Sequence, residues 1–123
     1  MRTSLYIPSL IIVLVITAFS CEHTKDFSIC GVDTPLEDII WLKYKVNDLA
    51  KDDNVDTASI TSYEYLKSNA FYVYIHRKNQ YDMPSPIYNC KGEIIFQVGG
   101  NQQNDTSYIF FNSASNPIIL WSK

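Results

Sequence analysis

Residues 70–78, AFYVYIHRK, alternate between apolar and polar-tipped side chains at every second position. This period of two is typical of a β-strand with one face in a protein core. One face of the strand carries Phe71, Val73 and Ile75. The opposite face carries Tyr72, Tyr74, His76 and Lys78. We therefore predict a sheet whose first face packs on another element and whose second face is rich in tyrosine.

The element that covers the apolar face is predicted upstream, as a helix over residues 34–51. Thr34 is expected to cap this helix, Pro35 suits its first position, and Glu37 would complete a capping box. Apolar residues recur at three- and four-residue spacing, namely Leu36, Ile39, Leu42, Val46 and Leu49, with Ile40 and Ala50 widening the stripe. Trp41 and Tyr44 fall on the other side of the helix, where they either touch the strand ends or are exposed.

The rest of the chain is predicted to consist of strands and loops. Further strands are expected over residues 57–67, 87–90, 93–98, 107–111 and 117–122, with a turn at Ser68-Asn69. No helical pattern lies between these strands, which excludes parallel βαβ units. The predicted fold class is therefore α+β, with one N-terminal amphipathic helix packed on an antiparallel meander of five or six strands.

The first twenty residues have the pattern of a secretory signal peptide. A positive charge at Arg2 precedes a dense apolar run over residues 10–16, and the small residues Ala18 and Ser20 mark a cleavage site. Cys21 follows directly, as in a bacterial lipobox, although Ala18 stands where Leu or Val is usual and Phe19 where a small residue is usual. We predict a signal peptide at 1–20, a lipidated tether at 21–29 and a single domain at 30–123. A retained transmembrane anchor and secretion with a free Cys21 are the alternatives.

Three cysteines are an odd number for an exported protein. If Cys21 carries lipid, Cys30 and Cys90 remain as one pair. An exported compartment would permit a disulfide between them. Two reduced, buried thiols are the alternative, because the sequence does not show the Cα separation that a disulfide requires.

Composition and charge restrict the classes of function. The net charge is −3, so the chain has no cationic surplus for a phosphate backbone, and no nucleic-acid partner is expected. The aromatic content of 14% favours a folded chain over a disordered one. Only His23 and His76 are available as histidines, so neither a metal nor another cofactor is predicted. A catalytic set would need His76 as its base. We expect a non-enzymatic protein, with a small hydrolase as the alternative.

Two features are candidates for recognition or modification. The stripe of Tyr72, Tyr74 and His76 offers apolar area with polar tips, which suits an interface or a glycan-stacking platform. Its alternative is a half-solvated sheet face covered by cross-strand partners such as Tyr63 and Tyr65. Asp56-Thr57-Ala58 is similar to the acceptor used for O-glycosylation of exported Bacteroidota proteins, which makes Thr57 a candidate site.

A longer pattern resembles a group of small Bacteroidota envelope lipoproteins. It joins a Pro-Leu-x-x-hydrophobic-x-Trp-Leu-Lys helix at residues 35–43 to a tyrosine-rich sheet and a final strand with Trp121. The resemblance implies a lipid-anchored protein of the bacterial outer membrane, and it implies no catalytic residues because the group has no assigned activity. The expected function is a binding or interaction module whose partner is an envelope protein, a host protein or a glycan. A soluble, exported, inhibitor-like protein is the alternative.

Overall fold

The computed structural model describes residues 28–81, 83–100 and 105–123. Its helices are α1 (Pro35–Asp38), α2 (Ile40–Lys51) and α3 (Ser107–Ser113). Its strands are β1 (Val55–Tyr65), β2 (Ser68–Arg77), β3 (Ser85–Asn89), β4 (Ile94–Val98) and β5 (Ser115–Ser122). The strands form one open antiparallel sheet in the spatial order β4, β3, β2, β1, β5. The predicted α+β class with five strands is confirmed, and no helix in the described ranges is long and apolar enough to cross a membrane.

Only the first four strands form the predicted meander. Strand β5 pairs with β1 and not with β4, so the chain between β4 and β5 returns from one edge of the sheet to the other. That connection contains α3, although residues 107–111 were predicted to be a strand. The prediction was wrong because β-forming side chains dominate this segment, whereas burial of Phe110, which is 0% exposed, favours a helical turn over the sheet.

The helix predicted as one element over residues 34–51 is interrupted at its sixth residue. Ile39 has an extended backbone, with φ −88° and ψ 102°, and separates α1 from α2. This break directs the Ile39 side chain into the core at 8% exposure and leaves Ile40, predicted to widen the stripe, 70% exposed. The capping box is not formed, because the Thr34 hydroxyl donates to the Asp38 carboxylate at 2.6 Å. The helix is also preceded by a β-bridge between Ile29 and Val32.

The main core lies between α2 and one face of the sheet. Residues of β1 and β2 alternate as predicted, and Phe71 and Val73 are fully buried against the helix side. The helix contributes Leu42 and Leu49, and the preceding segment contributes Ile29. Each fully buried apolar side chain of this size stabilises the fold by roughly 1.5–3 kcal/mol. Because Ile29 is only 5% exposed, the packed domain includes a residue that was expected to lie in the tether.

A disulfide joins the start of the described chain to the turn between β3 and β4. Cys30 and Cys90 are bonded, with their Cα atoms 5.8 Å apart, which confirms the predicted pairing. Cys30 and Gly31 both have positive φ, and the backbones of Ile29 and Val32 form two hydrogen bonds around them. The Cys30 N–H also donates to the Asn69 side chain at 2.8 Å. The chain therefore enters the domain beside the start of β2.

Trp41 connects α2 to the same turn. Its Nε1–H donates to the carbonyl of Cys90 at 2.9 Å, and its ring packs on Phe71 and Tyr88. Of the two predicted alternatives, contact with the strand ends is therefore the one observed. Gly92 lies directly against this ring, because a Cβ atom placed on Gly92 would be 2.8 Å from Trp41 Cγ.

Lys123 links strand β5 to the end of α2. Its backbone exchanges two hydrogen bonds with Ala58 of β1. Its ammonium group donates to the carbonyl oxygens of Leu49, Ala50 and Asp52 at 2.9–3.4 Å. These carbonyls have no partner within the helix, and a cation there is favoured by the helix dipole.

Gly92→Ala is expected to lower the free energy of unfolding by about 2–3 kcal/mol, because the new methyl group overlaps Trp41 and the backbone there has φ +81°. The matched control is Gly31→Ala, at φ +77° with no atom within 4 Å of the new Cβ. It should lose only the backbone contribution, about 1–2 kcal/mol. Urea unfolding of both variants gives the comparison, and equal losses would contradict a packing role for Trp41 at this glycine.

Candidate binding surface

The predicted stripe of Tyr72, Tyr74 and His76 lies on the sheet face opposite α2. The pairing of β1 with β2 places Thr61 beside Tyr72, Ser59 beside Tyr74 and Thr57 beside His76. Directly paired residues of an antiparallel sheet share a face, so three hydroxyl side chains run alongside the stripe. Strand β5 adds Ile119, which pairs with Thr61 and is 71% exposed. We call this region the open half-face, and it comprises Thr57, Ser59, Thr61, Tyr72, Tyr74, His76 and Ile119.

Helix α3 covers the other half of the same face. Phe110 is fully buried there, between the rings of Tyr63, Tyr65 and Phe96 at centroid distances of 5.1–5.7 Å. In the alternative considered from the sequence, Tyr63 and Tyr65 are cross-strand partners on a half-solvated face. They instead lie within the second hydrophobic cluster, so α3 divides the tyrosine-rich face into a covered part and an open part.

The boundary between the two parts is formed by Tyr72 and Phe111. Their rings meet edge to face, with centroids 5.7 Å apart. Tyr74 lies one row further from α3, with its ring centroid 6.4 Å from that of Tyr72. Tyr74 and Phe111 are each 40% exposed. The open half-face therefore presents aromatic area to solvent next to a packed aromatic cluster that holds Tyr72 in place.

Acidic side chains border the open half-face at both ends. Burial raises the pKa of Tyr72, a hydrogen bond with Ser85 lowers it in part, and the nearby Asp105 carboxylate adds to the rise. Asp105 lies at the rim. A hydrogen bond from the Ser107 hydroxyl lowers the pKa of its carboxyl group, as do the bonds that the carboxylate accepts from the backbone N–H groups of Ser107 and Gly99. At the other end, the Asp56 carboxylate lies 3.6 Å from His76 Nδ1.

The remaining predicted site residues lie apart from this surface or at its end. Cys21 and residues 1–20 lie outside the described residues, as does His23. Thr57 is exposed and belongs to strand β1. Cys30 and Cys90 are disulfide-bonded at the opposite end of the sheet from His76. Within residues 28–81, 83–100 and 105–123, no cluster of three or more His, Cys, Asp or Glu side chains is arranged to hold a metal ion.

A second feature, which sequence reasoning missed, is the tip of the β1–β2 hairpin. The turn was predicted at Ser68-Asn69, but it is formed by Leu66 and Lys67, with φ values of 46° and 59°. Asn69 is displaced from the turn because its side chain bonds to the backbones of Cys30 and Tyr63. An open cleft of about 530 Å³ lies beside the turn. Its lining residues are Ser28, Glu64, Tyr65, Leu66, Lys67, Ser68, Asn69, Ser113 and Ser115.

Tyr72→Phe is expected to make the protein less sensitive to alkaline unfolding. The pKa of Tyr72 is raised in the folded state, so the unfolded chain loses this proton first, near pH 10. The free energy of unfolding should therefore fall as pH rises from about 10 through the folded pKa, and the variant should fall less steeply. Urea unfolding at pH 9 to 11 measures the slope, with Tyr81→Phe controlling for the loss of one exposed hydroxyl. If the free energy of unfolding of Tyr72→Phe falls with pH as steeply as that of the wild type, burial of Tyr72 does not contribute to the alkaline unfolding.

Comparisons with known proteins gave no relative for this fold and surface. No protein-family model matches the chain, and neither the curated proteins nor the solved structures that were searched contain a match. The resemblance to Bacteroidota envelope lipoproteins therefore stays a prediction. The chemistry of the surface has to be argued from its own residues.

Proposed function

We propose that this protein is exported to a bacterial cell envelope, held at the outer membrane by lipid on Cys21, and binds a neutral oligosaccharide through the open half-face. The anchor is supported by the charged and apolar pattern of residues 1–20 and by the cysteine that follows it. The disulfide between Cys30 and Cys90 is consistent with an oxidising compartment. The binding role is carried by one observation, a sheet face on which the exposed ring of Tyr74 lies beside the hydroxyl groups of Thr57, Ser59 and Thr61 on the neighbouring strand.

The composition of the open half-face matches the chemistry of a neutral sugar. The C–H face of a sugar ring packs on an aromatic ring, and Tyr74 presents such a ring to solvent. Sugar hydroxyls both donate and accept hydrogen bonds, as do the hydroxyls of Thr57, Ser59 and Thr61. None of the seven residues of the open half-face is a lysine or an arginine, and the exposed Lys78 lies just beyond its His76 end.

The size of the open half-face also favours a small ligand. Tyr72 to His76 covers about 13 Å along the strand, and β5 to β2 covers about 10 Å across the sheet. The resulting area is on the order of 100–200 Å², well below the roughly 800 Å² that each partner buries in a standard protein–protein interface. A short oligosaccharide fits this area better than a folded protein does.

The role is that of a binding module and not of an enzyme. The imidazole of His76 and the carboxylate of Asp56 are both about half exposed, with side-chain exposures of 44% and 56%. A pair in contact with bulk water suits hydrogen bonding to a ligand at the rim of the surface. A positioned catalytic base is usually held more firmly by its surroundings.

Tyr74→Ala is expected to weaken oligosaccharide binding about 3- to 10-fold, because one stacking contact contributes about 0.5–1.5 kcal/mol. The probes are neutral hexasaccharides of glucose, mannose and xylose, with binding followed by calorimetry and by shifts in the NMR signals of Tyr72, Tyr74 and His76. Tyr44→Ala is the matched control, since Tyr44 is 66% exposed on α2 and away from the sheet face. Wild-type affinity in Tyr74→Ala, or binding by none of the sugars, would contradict the proposed ligand class.

The intact mass of the protein from its own membranes tests the anchor. We expect the mass of the chain from residue 21 plus acyl groups, with two thiols that become reactive to alkylation only after reduction. An unacylated chain that starts at residue 21 would contradict the lipid anchor. It would leave the oligosaccharide proposal to be judged by the Tyr74 experiment alone.

A further inference from the structure

The tip of the β1–β2 hairpin exposes an apolar side chain in an unfavourable backbone conformation. Leu66 is 74% exposed, and both Leu66 and Lys67 occupy the left-handed region, with φ 46° and 59°. A two-residue turn of this kind favours Asn-Gly, and a bulky residue at positive φ is an outlier. Neither the backbone preference nor packing within the domain explains a leucine here, so its side chain is available to an external apolar partner.

The chain enters the domain beside this tip. Ser28, the first described residue, and Leu66 line the same cleft. Two residues further on, the Cys30 N–H donates to Asn69 of β2 at 2.8 Å, and the disulfide fixes Cys30 to Cys90. The segment that precedes Ser28 therefore joins the domain at the hairpin tip, and the disulfide prevents this entry point from shifting.

The distance from the proposed anchor to the tip is short. Six residues, 22–27, lie between the lipidated position and Ser28, so seven Cα–Cα steps join the two. Even fully extended, seven steps reach only about 25 Å. If Cys21 carries lipid, the hairpin tip is within that distance of the bilayer. The end of the sheet that contains Leu66 is then the end nearest the membrane.

The charges at this end suit a lipid surface. Lys67 is exposed beside Leu66, and Lys91 is exposed in the turn between β3 and β4, at the same end of the sheet because Ala70 pairs with Asn89. Lysine side chains lie along an apolar boundary while their ammonium groups reach the headgroups. Two acidic residues that flank the tip are hydrogen-bonded within the protein, Glu64 to Asn116 and Glu93 to Asn89, whereas Asp33 and Glu37, in the segment that follows the disulfide, are exposed.

From the exposed Leu66, the neighbouring lysines and the position of chain entry, we infer that the Leu66-Lys67 turn inserts into the headgroup region of the membrane that carries the anchor. The partner that the turn contacts is the lipid bilayer. This inference rests on the proposed lipid anchor and adds the orientation of the domain. Strands β1 and β2 then point away from the membrane, and His76 lies about 33 Å from the tip along β2. The open half-face is presented outward, where an oligosaccharide can approach it.

Leu66→Trp tests the inference in the lipidated full-length mature chain. The protein is purified from bacterial membranes and reconstituted into vesicles of phosphatidylethanolamine and phosphatidylglycerol, with or without dibrominated acyl chains. We expect the emission of the new tryptophan to shift to shorter wavelength on reconstitution and to fall by at least one third with brominated lipid. The matched control is Tyr81→Trp, which places the probe at an 84% exposed position in the loop at the opposite end of β2 and should be unaffected. Both variants share the background from Trp41 and Trp121.

Failure of the inference is distinguishable from failure of the anchor. If the acylated protein binds the vesicles but Leu66→Trp emission does not respond, the inserted turn is overturned and the anchor stands. If the intact mass shows no acyl group, the anchor falls and the inference falls with it. If Leu66→Trp does not fold, hydrogen exchange of the wild-type chain tests whether the turn is inserted. Amides of residues 65–69 should exchange at least threefold more slowly on vesicles than in detergent, and equal rates would overturn the inference.

Discussion

The covalent link between Cys30 and Cys90 is the constraint on which the arrangement of the other elements depends. It joins the segment before α1 to the β3–β4 turn across sixty positions of sequence. In the chain-entropy model, a loop of this size is worth about 4 kcal/mol. Trp41 bonds to the carbonyl of the same Cys90, so the link also positions α2. One end of the sheet is thereby fixed to the helix and to the point of chain entry.

The two faces of the sheet differ because the helices that cover them differ in length. Helix α2 has 12 residues and lies along the apolar face of β1 and β2. Helix α3 has 7 residues and covers the opposite face only around Phe110. The aromatic side chains beyond Phe111 remain in contact with solvent. The proposed binding surface is therefore a consequence of a short connecting helix, and its floor is held rigid by the cluster beneath that helix.

The sequence was sufficient to predict strand β2 and the direction of its side chains, since alternation of Phe71, Tyr72 and Val73 directly reflects burial on one face. It offered Cys30 and Cys90 as one pair on the condition that Cys21 carries lipid, but the Cα separation that a disulfide requires is evident only in the structure. The capping box at Thr34 is not formed because its hydroxyl bonds to Asp38, and the single helix is interrupted because Ile39 is buried in the core. The strand predicted over residues 107–111 was wrong because tertiary burial of Phe110 outweighed local β propensity.

The composition of the open half-face could not be predicted in full. Tyr72, Tyr74 and His76 are evident from their spacing along one strand. Thr61 and Ile119 join them only through the register of β1 with β2 and β5, and register depends on pairings between distant segments. The irregularity between Ile60 and Thr61 in the pairing with β5 makes that register impossible to count from the sequence.

The pairing of β5 with β1 has a consequence for when the protein can fold. Strand β1 is synthesised early, but its partner on one side and the ammonium group that caps α2 both lie in residues 115–123. Until those residues are available, one edge of β1 is unpaired and the last carbonyls of α2 are unsatisfied. A chain threaded through a membrane channel from its N-terminus would thus complete its sheet only after residues 115–123 have crossed.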